Sequence, residues 1–153
     1  MRSVLISVRP KWCYKIAEGK KTIEARKTKP KLETPYKCYI YCTKDEPLYQ
    51  SGDKFWCGEE LGNGKIIGEF ICDKLVWVIS HPSIFAGHAL LHFAAIESAC
   101  LTQEEAEMYS GGKDVYGWHI SDLVIYDSPK TLRELGLKKA PQSWCYVNQG
   151  GET

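Results

Sequence analysis

The sequence lacks most of the features that mark a specialised class. No apolar run approaches the ~20 residues a helix needs to cross a membrane. The opening segment Met1-Arg2-Ser3-Val4-Leu5-Ile6 is too short for a signal peptide and leads directly into patterned sequence. Neither sign of charge is in excess: 20 basic and 19 acidic residues give a net +1. Whole-chain electrostatics therefore does not call for nucleic acid, and only a local concentration of positive charge could. Seven cysteines are an odd number without the tight spacing of a small secreted scaffold, which favours reduced thiols and a cytoplasmic location. There is no Gly-x-Ser-x-Gly elbow, no phosphate-cradling glycine-rich loop, no repeat and no linker.

What is present suits one globular domain. The chain has 153 residues, 44% hydrophobic and 25% charged, enough for a substantial core. Residues 1–148 read as the domain and 149–153 as a flexible tail. Strands are expected at Val4–Val8, Thr22–Arg26, Tyr36–Cys42, Asp53–Cys57, Lys65–Cys72 continuing through Lys74–Ile79, Tyr116–Tyr126 and Ser143–Val147. Pro10 suits the first turn of a helix that Gly19 ends. Helical spacing recurs over residues 84–99, and Thr102-Gln103-Glu104-Glu105 has the pattern of a capping box opening a helix to about Tyr109. Gly68 is a candidate bulge. About six strands with a few short helices predict a compact α+β domain built around a curled sheet.

Metal and nucleophile chemistry find little support. Cys38 and Cys42 have tolerable zinc spacing, but four residues along a strand separates the thiols by ~13 Å, too far for one ion. His88 and His92 would share one side of a helix without an evident third ligand. His119 reads as a hydrogen-bonded sheet histidine. No metal and no cofactor is expected.

The densest charge lies in Gly19-Lys20-Lys21-Thr22-Ile23-Glu24-Ala25-Arg26-Lys27. In a strand, Ile23 and Ala25 face one way and Glu24 and Arg26 the other. If this strand pairs with Val4–Val8, the helix between them brings Arg9 and Lys11 to the same rim. Such a cluster can hold a phosphate. It can equally be a solvated, lysine-decorated sheet edge that discourages aggregation. Trp12, Trp118, Trp144 and Tyr146 each flank a polar or basic residue, as base-stacking aromatics do.

Ser7-Val8-Arg9-Pro10-Lys11, a helix ending at Gly19, and Lys21-Thr22-Ile23-Glu24-Ala25-Arg26-Lys27 resemble the opening of an ASCH domain, of the PUA-like superfamily. The segments Gly64–Phe70, Tyr116–Leu123 and Pro141–Tyr146 are similar to those of small ASCH proteins from Firmicutes and their phages. The resemblance implies a PUA-like small β-barrel of about six strands flanked by short helices, with a basic cleft beside the first helix. It implies RNA, a nucleotide or a modified nucleoside as ligand, with no membrane partner. Arg9, Lys11, Lys21, Glu24 and Arg26 would form the cleft, with Trp118 and Trp144 as stacking walls. Some relatives are amidohydrolases acting on acetylcytidine through a lysine, a threonine three positions on and a downstream glutamate, and another is a ribonuclease. Lys21 matches the lysine, Glu24 stands where the threonine would, and Glu97 is the positional candidate for the glutamate. A carboxylate beside Lys21 favours its charged form, the opposite of what a lysine base needs. The expectation is therefore binding. The alternatives are a hydrolase using Lys21 with Glu24 or Glu97, and a protein-interaction module whose basic rim meets an acidic partner.

Overall fold

A computed structural model describes residues 2–44 and 64–148, apart from the side chain of Phe85. Among the described residues, seven strands and three short α-helices follow the order β1 (Arg2–Val8), α1 (Pro10–Ala17), β2 (Ile23–Arg26), β3 (Tyr36–Cys42), β4 (Lys65–Ser80), β5 (Leu90–Leu91), α2 (Phe93–Ser98), α3 (Gln103–Ser110), β6 (Val115–Lys130) and β7 (Trp144–Asn148). The strand expected at Asp53–Cys57 and the tail after Asn148 lie outside the described residues.

The local signals explain the elements. Pro10 stands at the start of α1, and Gly19, at φ +79°, lets the chain turn sharply after it. Thr102 and Glu105 form the reciprocal capping box at the start of α3, which Gly111 ends in the left-handed region. The periodicity over 84–99 does not become one helix. Ala86 and Gly87 adopt positive φ, β5 follows, and α2 begins only at Phe93. His88 and His92 therefore share no helix face.

The sheet order is β2-β6-β4-β3-β1-β7, with β5 paired to β4 off this path. β1 runs parallel to β3, and the other pairs are antiparallel. β2 pairs with β6, not with β1 as the sequence reading allowed. Among the described residues the sheet is curled but not closed into a barrel. Between its two ends, side-chain hydrogen bonds replace a backbone ladder. Arg26 of β2 reaches Ser7 of β1 and Ser143 beside β7. Trp144 Nε1 donates to Thr28 Oγ1 at 2.8 Å, and the Lys31 amide donates to the Tyr146 hydroxyl at 2.8 Å.

Among the described residues, three apolar clusters hold the layers. The largest packs Cys13 and Ile16 of α1 against Val4, Ile6, Ile40, Phe70 and Trp118. A second lies on the other face of the β2 end, where Ile23, Val78 and Val115 meet Ile96, Ala99 and Ala106. Both faces of β2 are thus covered, which is why Ile23 and Glu24 are both buried. The third packs Leu5, Tyr39, Tyr41, Ile66 and Val147 under the chain around Leu132–Ala140. Cys13, Cys38, Cys42 and Cys72 are buried free thiols. Among the described residues no cluster of His, Cys, Asp or Glu could hold a metal, and no helix is long and apolar enough to cross a membrane.

The bulge expected at Gly68 falls beside it. Ile40 pairs with Gly68 and Tyr41 with Ile66, leaving Ile67 as the extra residue. A Cβ on Gly68 would collide with the backbone carbonyl of Val124 and lie 3.1 Å from Ile125 Cα. Gly68→Ala should lower stability by about 2 kcal/mol, because backbone of a paired strand cannot move aside. Urea unfolding measures this, and a variant as stable as the parent would mean the two strands can part there.

Candidate ligand-binding cleft

The open seam between β2 and the β1–β7 end contains a cavity of about 630 Å³. β1 and the turn into α1 provide Ser7, Arg9 and Trp12. The segment through β2 provides Lys21, Glu24, Ala25 and Arg26. Leu101 and α3 contribute Glu105 and Tyr109, and Thr43, Gln142 and Ser143 complete the lining. The volume is within the range of small-molecule sites.

Its floor is a buried ionic network. The turn after α1 carries Lys20 and Lys21 past Gly19, with both amides bonded to Lys15 O. Lys21 thereby turns inward and is 4% exposed, while its neighbour Lys20 stays in solvent beside Glu18. The Lys21 ammonium donates to Ala99 O at 2.7 Å, lies 3.5 Å from Glu24 Oε1 and sits 4.8 Å from the centre of the Trp12 ring. Glu24, 5% exposed, accepts two bonds at Oε2 from Arg26, from Nε at 3.0 Å and Nη2 at 2.7 Å. Its Oε1 has only the longer ion-pair approach of Lys21.

Arg26 is saturated. Nη1 donates to Ser143 O at 3.2 Å and Ser143 Oγ at 3.1 Å, and Nη2 also donates to Ser7 O at 2.7 Å. With the two bonds to Glu24, all five guanidinium donors are used. Arg26 therefore lends the cavity charge but no spare donor for the phosphate that the sequence reading allowed the basic cluster to hold.

The charge states follow from the packing. Burial pushes the Glu24 carboxyl up, but the Arg26 guanidinium and then Lys21 outweigh it, so the group is held below its ordinary value. Burial lifts the Tyr109 phenol, which remains protonated. Burial also raises the Cys13 thiol far above its usual value, which disqualifies it as a nucleophile under the cleft.

The other residues singled out from sequence separate. Arg9 lines the cavity. Lys11 is exposed, lies over the Trp12 ring at 4.7 Å and is not part of the lining. Glu97 is exposed on α2 and lies outside the lining. Trp118 is 0% exposed, edge-on to Tyr36 and Trp144, because its register partner Glu24 and helix α1 cover that face. It cannot stack on a ligand. Trp144 packs against Trp118 and Tyr146 and is absent from the lining. The aromatic walls are instead Trp12 and Tyr109. Glu105 and Tyr109 were not read from sequence as site residues. Glu105 was legible only as a helix cap, and it does accept from the Thr102 amide at 2.8 Å. Their i, i+4 spacing puts them on one side of α3, but no sequence pattern says that this side meets β2.

The cleft is consequently less basic than its residue count suggests. Arg9, Lys21 and Arg26 face Glu24 and Glu105.

The chain matches no family model and no curated protein. Solved structures are similar to it across almost its whole length. The crystal structure of ASCH from Zymomonas mobilis is 18% identical, covers 96% of this chain and 88% of its own, and superposes with a TM-score of 0.65. Two single-substitution mutants of that protein, one Ser to Ala and one Tyr to Phe, give the same identity and TM-score. At this identity the likeness establishes the fold alone, that of the ASCH structure.

Glu24 binds protons more weakly folded than unfolded. Its stabilising contribution is complete above the ordinary carboxylate range, near pH ~4.3, and is lost as pH falls through the lower folded-state value. Glu24→Gln should cost about 3 kcal/mol at neutral pH, since it strands the Arg26 guanidinium. The variant should also lose less stability than the parent on acidification. Denaturant titrations of both proteins at neutral and acid pH test this; equal acid sensitivity would remove Glu24 as a source of the acid limb.

Proposed function

We propose that this ASCH-fold chain binds RNA or a nucleotide in the seam cleft, with a base against Trp12 and Tyr109 and an anionic or carbonyl oxygen at Lys21 and Arg9. The observation that carries this reading is the buried Lys21 ammonium, fixed by Ala99 O and held against the Trp12 ring at the floor of a cavity of nucleotide dimensions. A lysine has three donors; one goes to Ala99 O and one points toward Glu24, leaving a third for a guest. The aromatic lining supplies a flat apolar surface, which suits a nucleobase better than a bare inorganic anion. Glu24 then acts by orienting Arg26 and Lys21, and Glu105 is the carboxylate placed to accept from an exocyclic amine.

A second reading, hydrolysis of a modified nucleoside or of RNA, draws on the same buried Lys21–Glu24 pair, since opposed charges in a cavity are common at catalytic centres. Its weakness is the partner carboxylate, because Glu97 stands outside the cleft.

Titration of the protein with nucleoside monophosphates and short single-stranded RNA, followed by calorimetry, separates the readings. Binding should weaken with added salt. Arg9→Ala and Trp12→Ala should each reduce affinity about tenfold, the scale of one charge-assisted hydrogen bond or one stacked base. No heat with any nucleotide, at any salt, would refute the binding reading. Release of acetate from acetylcytidine, or cleavage of the RNA, abolished in Lys21→Ala, would instead establish the hydrolase.

A further inference from the structure

We propose that the cleft is one end of a track for single-stranded nucleic acid, and that the stacked pair Trp77–Tyr116 is a second base-binding subsite on it. The inference rests on the nucleotide reading above and names the class of ligand: an oligonucleotide rather than a free mononucleotide.

The first support is register. Arg26 of β2 pairs with Tyr116 of β6, which pairs with Trp77 of β4. Residues directly opposite on neighbouring strands project to the same face, so the three side chains form one row leading away from the cleft. Two strand spacings separate the backbones of Arg26 and Trp77, ~10 Å, a span that a dinucleotide bridges.

The second support is the aromatic geometry. The Trp77 and Tyr116 rings stack with centroids 5.0 Å apart and planes 29° from parallel. Trp77 is 42% exposed. Tryptophan is usually well covered in a folded domain, and here Trp118, on the adjacent row of the same face, is fully buried. An exposed indole braced by a near-parallel ring is the surface on which a further base stacks, whatever its identity.

The third support is charge. The segment Lys27-Thr28-Lys29-Pro30-Lys31 leaves β2 with three exposed lysines and no acidic residue. Lys27 lies over Tyr109 of the cleft wall at 4.9 Å, and Lys29 over Tyr116 at 5.8 Å. One segment thus sets a cation beside the aromatic of the cleft and another beside the aromatic of the outer pair. Cations and rings thus alternate along the row, with bases assigned to the rings and phosphates to the lysines.

The test uses the intact protein and fluorescence anisotropy with a labelled RNA tetranucleotide, its DNA counterpart, and unlabelled nucleoside monophosphates as competitors. The tetranucleotide should bind at least tenfold more tightly than any monophosphate. Trp77→Ala should cost the tetranucleotide about tenfold and leave monophosphate affinity unchanged. Trp77→Phe should restore most of the loss, and Lys29→Ala should flatten the salt dependence. A preference between the two tetranucleotides assigns the sugar, and a Trp77-dependent gain over the monophosphates with either of them supports the track. If monophosphates bind but Trp77→Ala changes nothing for the tetranucleotide, the stacked pair merely braces β4 on β6; the track is then wrong and the cleft stands. If neither monophosphate nor tetranucleotide binds, both fall. An acidic peptide of equal charge binding as tightly as the tetranucleotide would overturn the assignment to nucleic acid.

Discussion

The geometry of the cleft depends on one side chain, Arg26. It belongs to β2, at one end of the described strand order, and its donors reach Ser7 on β1 and Ser143 just ahead of β7. Those contacts fix how far the two ends of the curled sheet stand apart. Glu24 holds the guanidinium from the other side with two bonds to one oxygen. A backbone ladder would bring strands to ~4.8 Å and leave no room for a cavity. A guanidinium spanning the gap keeps the ends tied and the space open.

Burying such a network is not the cheapest way to stabilise a seam. Desolvating opposed charges offsets much of their attraction, and well-packed apolar residues often serve stability as well or better. What the ions supply here is placement. Glu24 is fixed by Arg26, and Lys21 by Ala99 O and Glu24, so the ammonium lies beside Trp12 in one arrangement. A ligand meeting preset donors loses less freedom on binding than one that must order them.

The elements were legible where local chemistry decides them. Pro10, Gly19 and the Thr102–Glu105 box set their helix ends, and the alternation of Ile23 to Arg26 gave the right pair of faces. Long-range pairing was less accessible. Nothing local says that β2 joins β6 instead of β1, or that the described sheet stops short of a barrel, because both outcomes depend on contacts between residues far apart in the chain, Ile23 with His119 and Arg26 with Ser143. Aromatic roles failed for the same reason. Trp118 and Trp77 both stand on long antiparallel strands, and only the three-dimensional path of α1 decides which of them is covered. The periodicity over 84–99 misled because it ignored Ala86 and Gly87, whose positive φ ends any continuous helix there.

The basic stretch that dominates the sequence turns out to hold four cations with four different fates. Lys20 pairs with Glu18 in solvent, Lys21 is sunk into the floor, Arg26 is spent on the seam, and Lys27 lies over Tyr109. Charge counted along the chain therefore overstates what the cavity offers an anion, since Glu24 and Glu105 share its lining. The cleft proper sets two aromatic rings, Trp12 and Tyr109, beside this balanced charge. Three exposed cations lie outside it, on Lys27, Lys29 and Lys31, in a segment that itself holds no carboxylate. Enclosed volume and exposed positive charge are in this way found in different places: the ionic network lies buried at the floor of the cavity, and Lys27, Lys29 and Lys31 stand outside its lining.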